Sequence, residues 1–314
     1  MKKILITIDT EGDNMWRPMY SKNAVQNRIT IVNGDYLLRF QKLCEKYSFI
    51  PTYFVDYEMS FSKRFTAMAK KKLLRGTCEI GMHMHGWSVP PYYPLKRGAG
   101  HTGACNPYIS EYPNDIIENK VQILTEQLQK IFECSITSHR SGRWLINKQY
   151  LKILRKYGYL ADCSVTPGVD WRNNLGLTEG IKGPDYRGFP KNAYELNEYN
   201  ICKCGRSGIL EIPVTVRQEW INGRIVSNWL RPNGNNLNIM LQIVERHEQS
   251  PSDYLEFMIH SSELMPFGSP GFRSEGSIEK IYCDMDQLFS KIAIKYEGMS
   301  ITTYARNKLR GNVL

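Results

Sequence analysis

Residues 79–87 read Glu79-Ile80-Gly81-Met82-His83-Met84-His85-Gly86-Trp87, an apolar run that ends in two histidines one residue apart. A run of this kind is typical of a buried strand. Successive side chains of a strand point to opposite faces, so His83 and His85 are predicted to share a face. Their Cα atoms would lie roughly 6.5–7 Å apart, close enough for two imidazoles to hold one metal ion. Gly86 then ends the strand at its carboxyl end, where active sites of parallel α/β folds lie.

Outward from this strand, strand and helix patterns alternate along the chain. Strands are predicted at 3–8, 49–55, 77–83, 135–139, 159–165, 208–216, 254–260 and 300–303, with a hairpin at 220–229 around Asn222-Gly223. Helices are predicted at 33–47, with Asn33 as the cap, and at 62–75, 114–134, 147–157, 237–246 and 277–296. This alternation predicts one α/β domain over residues 1–314, a distorted (β/α) barrel of about seven mostly parallel strands. An open doubly wound sheet is the alternative, because the sequence does not set the strand order.

Two long stretches without periodicity interrupt the pattern. Residues 88–113 and 166–208 are rich in Gly, Pro and aromatic side chains. Long irregular loops in compact domains usually carry function. Both are therefore predicted to be loop insertions over the catalytic face.

Composition excludes some classes of protein. The net charge of +10 is spread along the chain, which favours anionic substrates or a membrane surface rather than nucleic acid. No apolar run approaches the roughly 20 residues of a membrane helix, and residues 1–9 resemble a first strand more than a signal peptide. The eight cysteines lie mostly in core-like segments, so we expect free thiols and a cytoplasmic protein without a transmembrane segment.

Reactive side chains recur where predicted strands end. Asp9 and Glu11 follow the first strand, His83 and His85 the third, Arg140 the fourth, and His260 the strand 254–260. For each of these residues alone, a structural role such as a cap, a surface pair or a core imidazole is the commoner explanation. The carboxyl ends of barrel strands meet at one mouth, so the recurrence predicts a common site.

These motifs, in this order, resemble those of the NodB-type polysaccharide deacetylases, carbohydrate esterase family four. The resemblance rests on Ile6-Thr7-Ile8-Asp9-Thr10-Glu11, Glu79-Ile80-Gly81-Met82-His83, Arg140-Ser141-Gly142-Arg143-Trp144 and Phe257-Met258-Ile259-His260. The stretch from His85 to Pro91, with His260-Ser261-Ser262, is closer to a branch linked to lipopolysaccharide and surface-polysaccharide biosynthesis. Two departures concern the metal. The family spaces its histidines four apart, which would place the second at Trp87 rather than His85, and its Asp pair is replaced by Asp9-x-Glu11, with Asp13 as a rival ligand.

The resemblance implies a metal-dependent hydrolase that removes an N-acetyl group from an amino sugar of a surface polysaccharide, a lipopolysaccharide or a lipid-linked precursor. Glu11, His83 and His85 would hold one divalent ion, zinc being the expected one. Asp9 would be the general base, Arg140 would pair with it, and His260, on the opposite wall, would donate a proton to the leaving amine. A backbone N–H near Trp144 would serve the oxyanion. Sugar rings would stack on loop or motif aromatics, which are Trp87, Tyr92, Tyr93, Trp144, Trp171 and Tyr186.

Two alternatives stay open at this stage. The same scaffold could hydrolyse a small cyclic amide, or it could bind glycans without catalysis, as the altered histidine spacing would allow. A serine hydrolase is disfavoured, because Ser261-Ser262 lacks a Gly-x-Ser-x-Gly elbow. The expected partner is an N-acetylated glycan or glycolipid, with peripheral membrane contact and no nucleic acid.

Overall fold

The computed structural model describes residues 1–13, 30–93 and 106–311. The strands are β1 (Lys2–Thr10), β2 (Pro51–Val55), β3 (Glu79–Met84), β4 (Ser138–Ser141), β5 (Ala161–Asp162), β6 (Tyr194–Glu195), β7 (Leu210–Glu211), β8 (Val216–Ile221), β9 (Arg224–Trp229), β10 (Tyr254–His260) and β11 (Tyr296–Gly298). The helices are α1 (Leu37–Lys46), α2 (Lys63–Leu73), α3 (Asn114–Phe132), α4 (Lys148–Lys156), α5 (Leu237–Glu248), α6 (Glu275–Ile292) and α7 (Ile301–Gly311). Short 3-10 helices lie at Val32–Tyr36, Met59–Phe61, Ile109–Glu111, Gly142–Trp144 and Ser261–Leu264.

Nine strands form one curled sheet in the order β10-β1-β2-β3-β4-β5-β7-β6, with β11 beside the start of β1. Every pairing is parallel except that of β6 with β7. The register places Asp9 opposite His260 and His83 opposite Arg140. The predicted convergence of the strand ends is therefore built into the pairing of neighbouring strands.

An irregular segment rather than a ladder joins the last parallel strands to β10. The backbone N–H of Glu256 donates to Thr215 Oγ1 at 2.9 Å, and the N–H of Met258 donates to the carbonyl of Leu230 at 3.3 Å. Tyr254 Oη also donates to the carbonyl of Pro213 at 2.8 Å. The sheet thus curls into the distorted (β/α) barrel that the alternation of elements predicts, and not into an open doubly wound sheet.

Alternate residues of the strands face two different layers. On β1, Ile4, Ile6 and Ile8 pack against the surrounding helices, within the same apolar cluster as Phe40 and Leu124. Residues at the odd positions, from Leu5 through Thr7 to Asp9, face the interior of the barrel. The interior is therefore apolar at the amino ends of the strands and polar at their carboxyl ends.

Helix α7 closes the apolar end of the barrel, where the sequence predicts a strand. Residues 300–303 are predicted as a last strand, but Ile301 begins a helix, and the final strand is β11. Ile301, Tyr304 and Ala305 are buried against Leu5 and other interior residues, a spacing of three and four that suits a helix. Glu79 fixes the helix start, because its carboxylate accepts from Thr302 N at 2.9 Å and from Thr302 Oγ1 at 2.8 Å.

Several predicted boundaries also shift. Residues 159–165 and 208–216 form only the two-residue strands β5 and β7, plus the first residue of β8, because these segments turn away from regular pairing near the barrel gap. The hairpin is present, with positive φ at both Asn222 and Gly223, as a type I′ turn requires.

The two loop insertions differ in how far they are described. Residues 94–105 of the 88–113 loop lie outside the described residues. The 166–208 insertion carries β6 and antiparallel bridges that join Asp170 to Asp185 and Leu175 to Lys182. The seven cysteines in the described ranges are all free thiols. No helix within those ranges is both long and apolar enough to cross a bilayer.

Candidate active site

A buried arginine organises the floor of the site. Arg140 is fully buried, and its Nη1 donates to Asp9 Oδ1 at 2.7 Å and to Thr7 Oγ1 at 3.0 Å. Its Nε donates to the carbonyl of Cys163 at 2.9 Å, and its Nη2 contacts the carboxylate of Glu256. Burial alone would raise the pKa of Asp9, but the charge of Arg140 holds it below its usual value. Asp9 is therefore an oriented carboxylate at neutral pH.

Glu256 is the second carboxylate on Arg140, and the sequence analysis missed it. It accepts from Thr7 Oγ1 at 2.6 Å, and burial raises its pKa to about 7 although Arg140 opposes that shift. The available signal was a lone acid in the otherwise apolar strand Tyr254–Ile259. An acid in a buried strand needs a cation on the same face, and Arg140 provides it.

Above this pair, Glu11, His83 and His85 form a buried cluster at the mouth of the barrel. Their ligand atoms all lie within 4.8 Å of one another. Glu11 Oε2 is 3.2 Å from His83 Nε2 and 2.8 Å from His85 Nε2, and the two imidazoles are nearly perpendicular. Burial would raise the pKa of Glu11, but its contacts with the two histidines hold it well below its usual value. The cluster thus offers one carboxylate oxygen and two nitrogens to a single point.

The hydrogen bond of His83 fits a cation at that point. His83 Nδ1 lies 3.0 Å from the carbonyl oxygen of Arg140, which can only accept, so Nδ1 carries the proton. Burial opposes a charge on His83, but the carboxylates of Asp9 and Glu11 raise its pKa. Nε2 therefore faces Glu11 at a place that favours a positive charge, either a proton or a metal ion that takes the proton's place. Backbone carbonyls commonly fix metal-binding histidines in this tautomer. The residues present therefore fit a divalent ion.

His85 is the less complete ligand. Burial and the neighbouring His83 lower its pKa to about 4, so it is neutral at physiological pH. Its Nδ1 is buried and has no hydrogen-bond partner among the described residues. Gly142 makes room for the ring, since a Cβ at that position would lie 2.6 Å from His85 Cε1 and 2.8 Å from the Met84 carbonyl oxygen.

The backbone of Glu11 is held by two side chains to which the sequence analysis assigns no role in the site. Asn33 Nδ2 donates to the Glu11 carbonyl at 2.7 Å and to Ser261 Oγ at 2.9 Å. Ser261 Oγ accepts from the Glu11 N–H at 3.1 Å. Asn33 is therefore a positioning residue, not the helix cap that the sequence predicts, because its side chain turns into the site instead of toward the helix amino end.

Asp13 lies outside the cluster, although the sequence makes it a rival ligand. Its carboxylate accepts from Thr30 N at 2.9 Å and from Thr30 Oγ1 at 2.5 Å. These bonds turn it away from the two histidines, and it is absent from the group of potential ligands found among the described residues. Glu11 is the acid that the geometry supplies.

His260 is predicted to lie on the wall opposite Asp9, but it lies beside Asp9, because β10 and β1 are neighbours. Its Nε2 is 3.6 Å from Asp9 Oδ2 and 3.9 Å from Glu11 Oε1. Its Nδ1 is 3.3 Å from Glu263 Oε2, and Glu263 pairs with Arg231 at 2.6 Å. Burial opposes ionisation of Glu263, yet Arg231 and His260 lower its pKa to about 2. Glu263 thus orients the imidazole.

An open cavity of about 590 Å³ is lined by Asp9, His260 and the Glu11, His83 and His85 cluster. The predicted sugar-binding residues Trp87, Trp144 and Trp171 all line it, as do Tyr108, Arg143 and Arg231. Trp229, from β9, packs 5.7 Å from Trp144 and 6.3 Å from Trp171, measured between ring centroids. The volume and the aromatic lining are those of a small-ligand site.

Two predicted aromatic contacts are corrected. Tyr92 is 69% exposed and is not among the residues that line the cavity. Lys120 Nζ donates to the carbonyl of Pro91 at 2.7 Å, which ties the preceding loop to α3 and leaves Tyr92 in solvent. Tyr186 is buried behind the wall, where its hydroxyl contacts the Trp144 carbonyl and accepts from Ile146 N at 3.3 Å. It supports the cavity rather than lining it.

The turn after Arg140 is strained. Arg143 and Trp144 have φ values of 58° and 63°, in the left-handed region that side chains other than glycine seldom adopt. Such conformations persist where surrounding contacts hold them, here the Tyr186 hydroxyl, and they cluster at functional sites. The turn directs both side chains into the cavity, next to the place predicted for an oxyanion donor.

No family model matches the sequence, and no curated protein matches it. Solved structures do match. A Mycobacterium smegmatis protein named as a polysaccharide deacetylase superposes with a TM-score of 0.60 and 13% identity, over 100% of this chain and 92% of its own. A Parabacteroides distasonis protein named as a glycoside hydrolase/deacetylase gives 0.62 and 11%, over 97% and 71%. A branching enzyme of Thermococcus kodakaraensis, from glycoside hydrolase family 57, gives 0.57 and 8%, also over 97% and 71%.

At these identities the likeness concerns the fold and not the reaction. A branching enzyme shares the architecture, so the side chains at the mouth of the barrel must determine which reaction is catalysed. The strand ends nevertheless meet at one mouth, as the recurrence of reactive side chains predicts. The chain has the distorted-barrel fold of the NodB-type polysaccharide deacetylases.

Proposed function

We propose that the protein is a metal-dependent hydrolase that removes an N-acetyl group from an amino sugar. The observation that carries this proposal is the meeting, in one cavity, of an arginine-held carboxylate, a carboxylate–imidazole–imidazole ligand set and a third imidazole held by Glu263. Amide hydrolysis needs these parts: a base, an electrophile and an acid.

The ligand set suits zinc, which binds carboxylate oxygen and imidazole nitrogen. Glu11, His83 and His85 would hold the ion. When bound, a divalent ion there polarises the acetyl carbonyl and lowers the pKa of water toward ~7. The cytoplasmic location stays a prediction.

The proton transfers follow from the residues around the ligand set. Asp9, ionised and fixed by Arg140, accepts a proton from a water molecule as the oxygen of that water bonds to the acetyl carbon. His260, oriented by Glu263, donates a proton to the amide nitrogen as the C–N bond breaks, which gives acetate and a free amine. Asp9 and His260 are 3.6 Å apart, so both protons are handled on one side of the amide.

Within this class, we propose a lipid-linked or surface-polysaccharide precursor as the substrate. Arg143 and Arg231 line the cavity, and a phosphate on such a precursor would find a complementary charge there. The aromatic wall of Trp87, Trp144 and Trp171 suits stacking on sugar rings.

Acetate release from an N-acetylglucosamine oligosaccharide by zinc-loaded protein tests the proposal. Asp9→Asn and His260→Ala should lower the rate by ~10² or more. Asp115→Asn, an exposed carboxylate on α3, is the matched control and should be unchanged. Equal rates in wild type and Asp9→Asn would contradict the assignment of the base.

The partnerless Nδ1 of His85 favours one second candidate, a glycan-binding protein that does not hydrolyse its ligand. In that case calorimetry would detect oligosaccharide binding while zinc-loaded protein released no acetate from the same compound. Binding together with release would exclude this alternative.

A further inference from the structure

The β8–β9 hairpin ends in an exposed apolar tip, which we define as residues 220–226. All seven residues are exposed. Four of them are large and apolar, with exposed fractions of 75% for Trp220, 46% for Ile221, 58% for Ile225 and 37% for Val226. The hairpin forms its own two-stranded sheet, apart from the barrel. Contiguous exposed apolar surface of this kind marks an interaction site.

The tip is apolar on both of its faces. Trp220 lies directly opposite Ile225 in the antiparallel register, so these two side chains share one face. Ile221 and Val226 neighbour them along the strands and therefore point to the other face. A flat protein surface could cover only one of these faces, whereas a medium that surrounds the ribbon covers both.

The charges beside the tip are mainly positive. Arg217 and Arg246 both contact Glu219, at 2.7 Å and 3.2 Å. Arg224 is exposed within the tip itself. Three arginines around one glutamate, in a chain of net charge +10, complement an anionic surface.

The base of the hairpin belongs to the cavity wall. Trp229, the last residue of β9, packs against Trp144 and Trp171. Arg224 lies five positions before Trp229, so the tip extends about 17 Å from that wall. A surface that received the tip would lie next to the mouth of the cavity.

We propose that the tip inserts into the interfacial region of an anionic lipid bilayer and holds the cavity mouth at the membrane. Tryptophan prefers this region, and arginine beside it can reach the headgroups while its aliphatic stem stays buried. Insertion is shallow, within the 5–10 Å typical of interfacial elements. The proposal goes beyond deacetylation, because it concerns where the enzyme works and can be tested without a substrate.

The test is flotation of the full chain with vesicles of phosphatidylcholine alone and of phosphatidylcholine with phosphatidylglycerol. Wild type should bind the anionic vesicles and bind neutral ones much more weakly. Trp220→Ser with Ile225→Ser should lower the partition coefficient by about 10- to 100-fold. Leu74→Ser is the control. It removes a side chain that is 90% exposed and follows the last residue of α2, at the end of the barrel opposite the hairpin, and it should leave the partition coefficient unchanged.

Circular dichroism and the midpoint of thermal unfolding should be the same in all three proteins, since every altered side chain is exposed. Quenching of tryptophan fluorescence by brominated lipid should be strong in wild type and weaker in the double variant. Vesicle binding that is absent, or equal in wild type and the double variant, overturns the proposal. So does a concentration-dependent dimer that the double variant abolishes, because a second copy of the chain would then cover the tip. None of these outcomes depends on acetate release.

Discussion

Replacement of Arg140 by methionine should destabilise the protein more than any other single change at the site. Arg140 is fully buried and contacts two carboxylates, those of Asp9 and Glu256, as well as Thr7 and the Cys163 carbonyl. Methionine fills much of the volume but leaves both carboxylates buried without a cation. Breaking one buried pair in this way costs roughly 3–5 kcal/mol, so we expect at least that loss in the free energy of unfolding.

The pH dependence of this variant has a definite sign. Without Arg140, burial should raise the folded-state pKa of Asp9 and Glu256 above the unfolded values near 4. The folded state then binds more protons than the unfolded state, so stability should increase as the pH falls from 8 to 5. The increase should be steeper than in wild type, where Arg140 keeps the pKa of Asp9 low.

Urea denaturation at pH 8 and pH 5 measures both effects. Arg155→Met, which removes an exposed pair with Glu198, is the control and should cost no more than about 1 kcal/mol. Adding Glu256→Gln to Arg140→Met should restore part of the loss, because one uncompensated charge disappears. A loss as small as that of the control, or a pH slope equal to that of wild type, would refute the assignment of Arg140 as the cation for both carboxylates.

Two further substitutions probe the neighbours of this group. Glu256 has a folded pKa of about 7 against an ordinary value of 4.5, so its favourable contribution to stability is complete below pH 4.5 and is lost as the pH rises through 7. Glu256→Gln should therefore reduce the loss of unfolding free energy between pH 5 and pH 8 by about 2–3 kcal/mol. An unchanged dependence of that free energy on pH, measured by urea denaturation, would contradict this. Gly142→Ala should weaken zinc binding about 10- to 100-fold in calorimetric titration, because the new Cβ displaces the His85 ring. Gly188→Ala, where a Cβ meets nothing within 4 Å, is its control, and equal affinities would show that His85 does not contribute.

The strand ends and their reactive side chains could be predicted because parallel pairing leaves little freedom. Asp9 and His260 lie at the ends of the neighbouring strands β1 and β10, and His83 lies two strands from Asp9 at the same edge of the sheet, so their convergence follows once the strands are located. The hairpin was equally determined by local sequence, since Asn222-Gly223 suits the positive φ values of its turn.

Side chains that act across the sheet could not be predicted in the same way. Glu256, Glu263 and Arg231 reach the site through contacts between segments whose proximity depends on strand order and on a 3-10 turn. Asn33 shows the same difficulty: before a helical pattern, an asparagine predicts a cap. Only the position of the Glu11 backbone makes it a clamp instead.

The last predicted strand, 300–303, failed for a related reason. The short β-branched start of this segment, Ile301-Thr302-Thr303, fits either a strand or a helix, and the choice depends on the open end of the barrel that Ile301, Tyr304 and Ala305 fill. The shared site was predictable from local patterns, whereas the contacts that support it required the tertiary structure.

The central claim is that Glu11, His83 and His85 together hold one divalent ion. Metal content of purified protein, measured by mass spectrometry after zinc loading and dialysis, tests it directly. The account predicts about one ion per chain in wild type and in Asp13→Asn, whose carboxylate is bonded to Thr30, and little or none in Glu11→Gln or His83→Ala. Full occupancy in His83→Ala, or a loss in Asp13→Asn with none in Glu11→Gln, would contradict it.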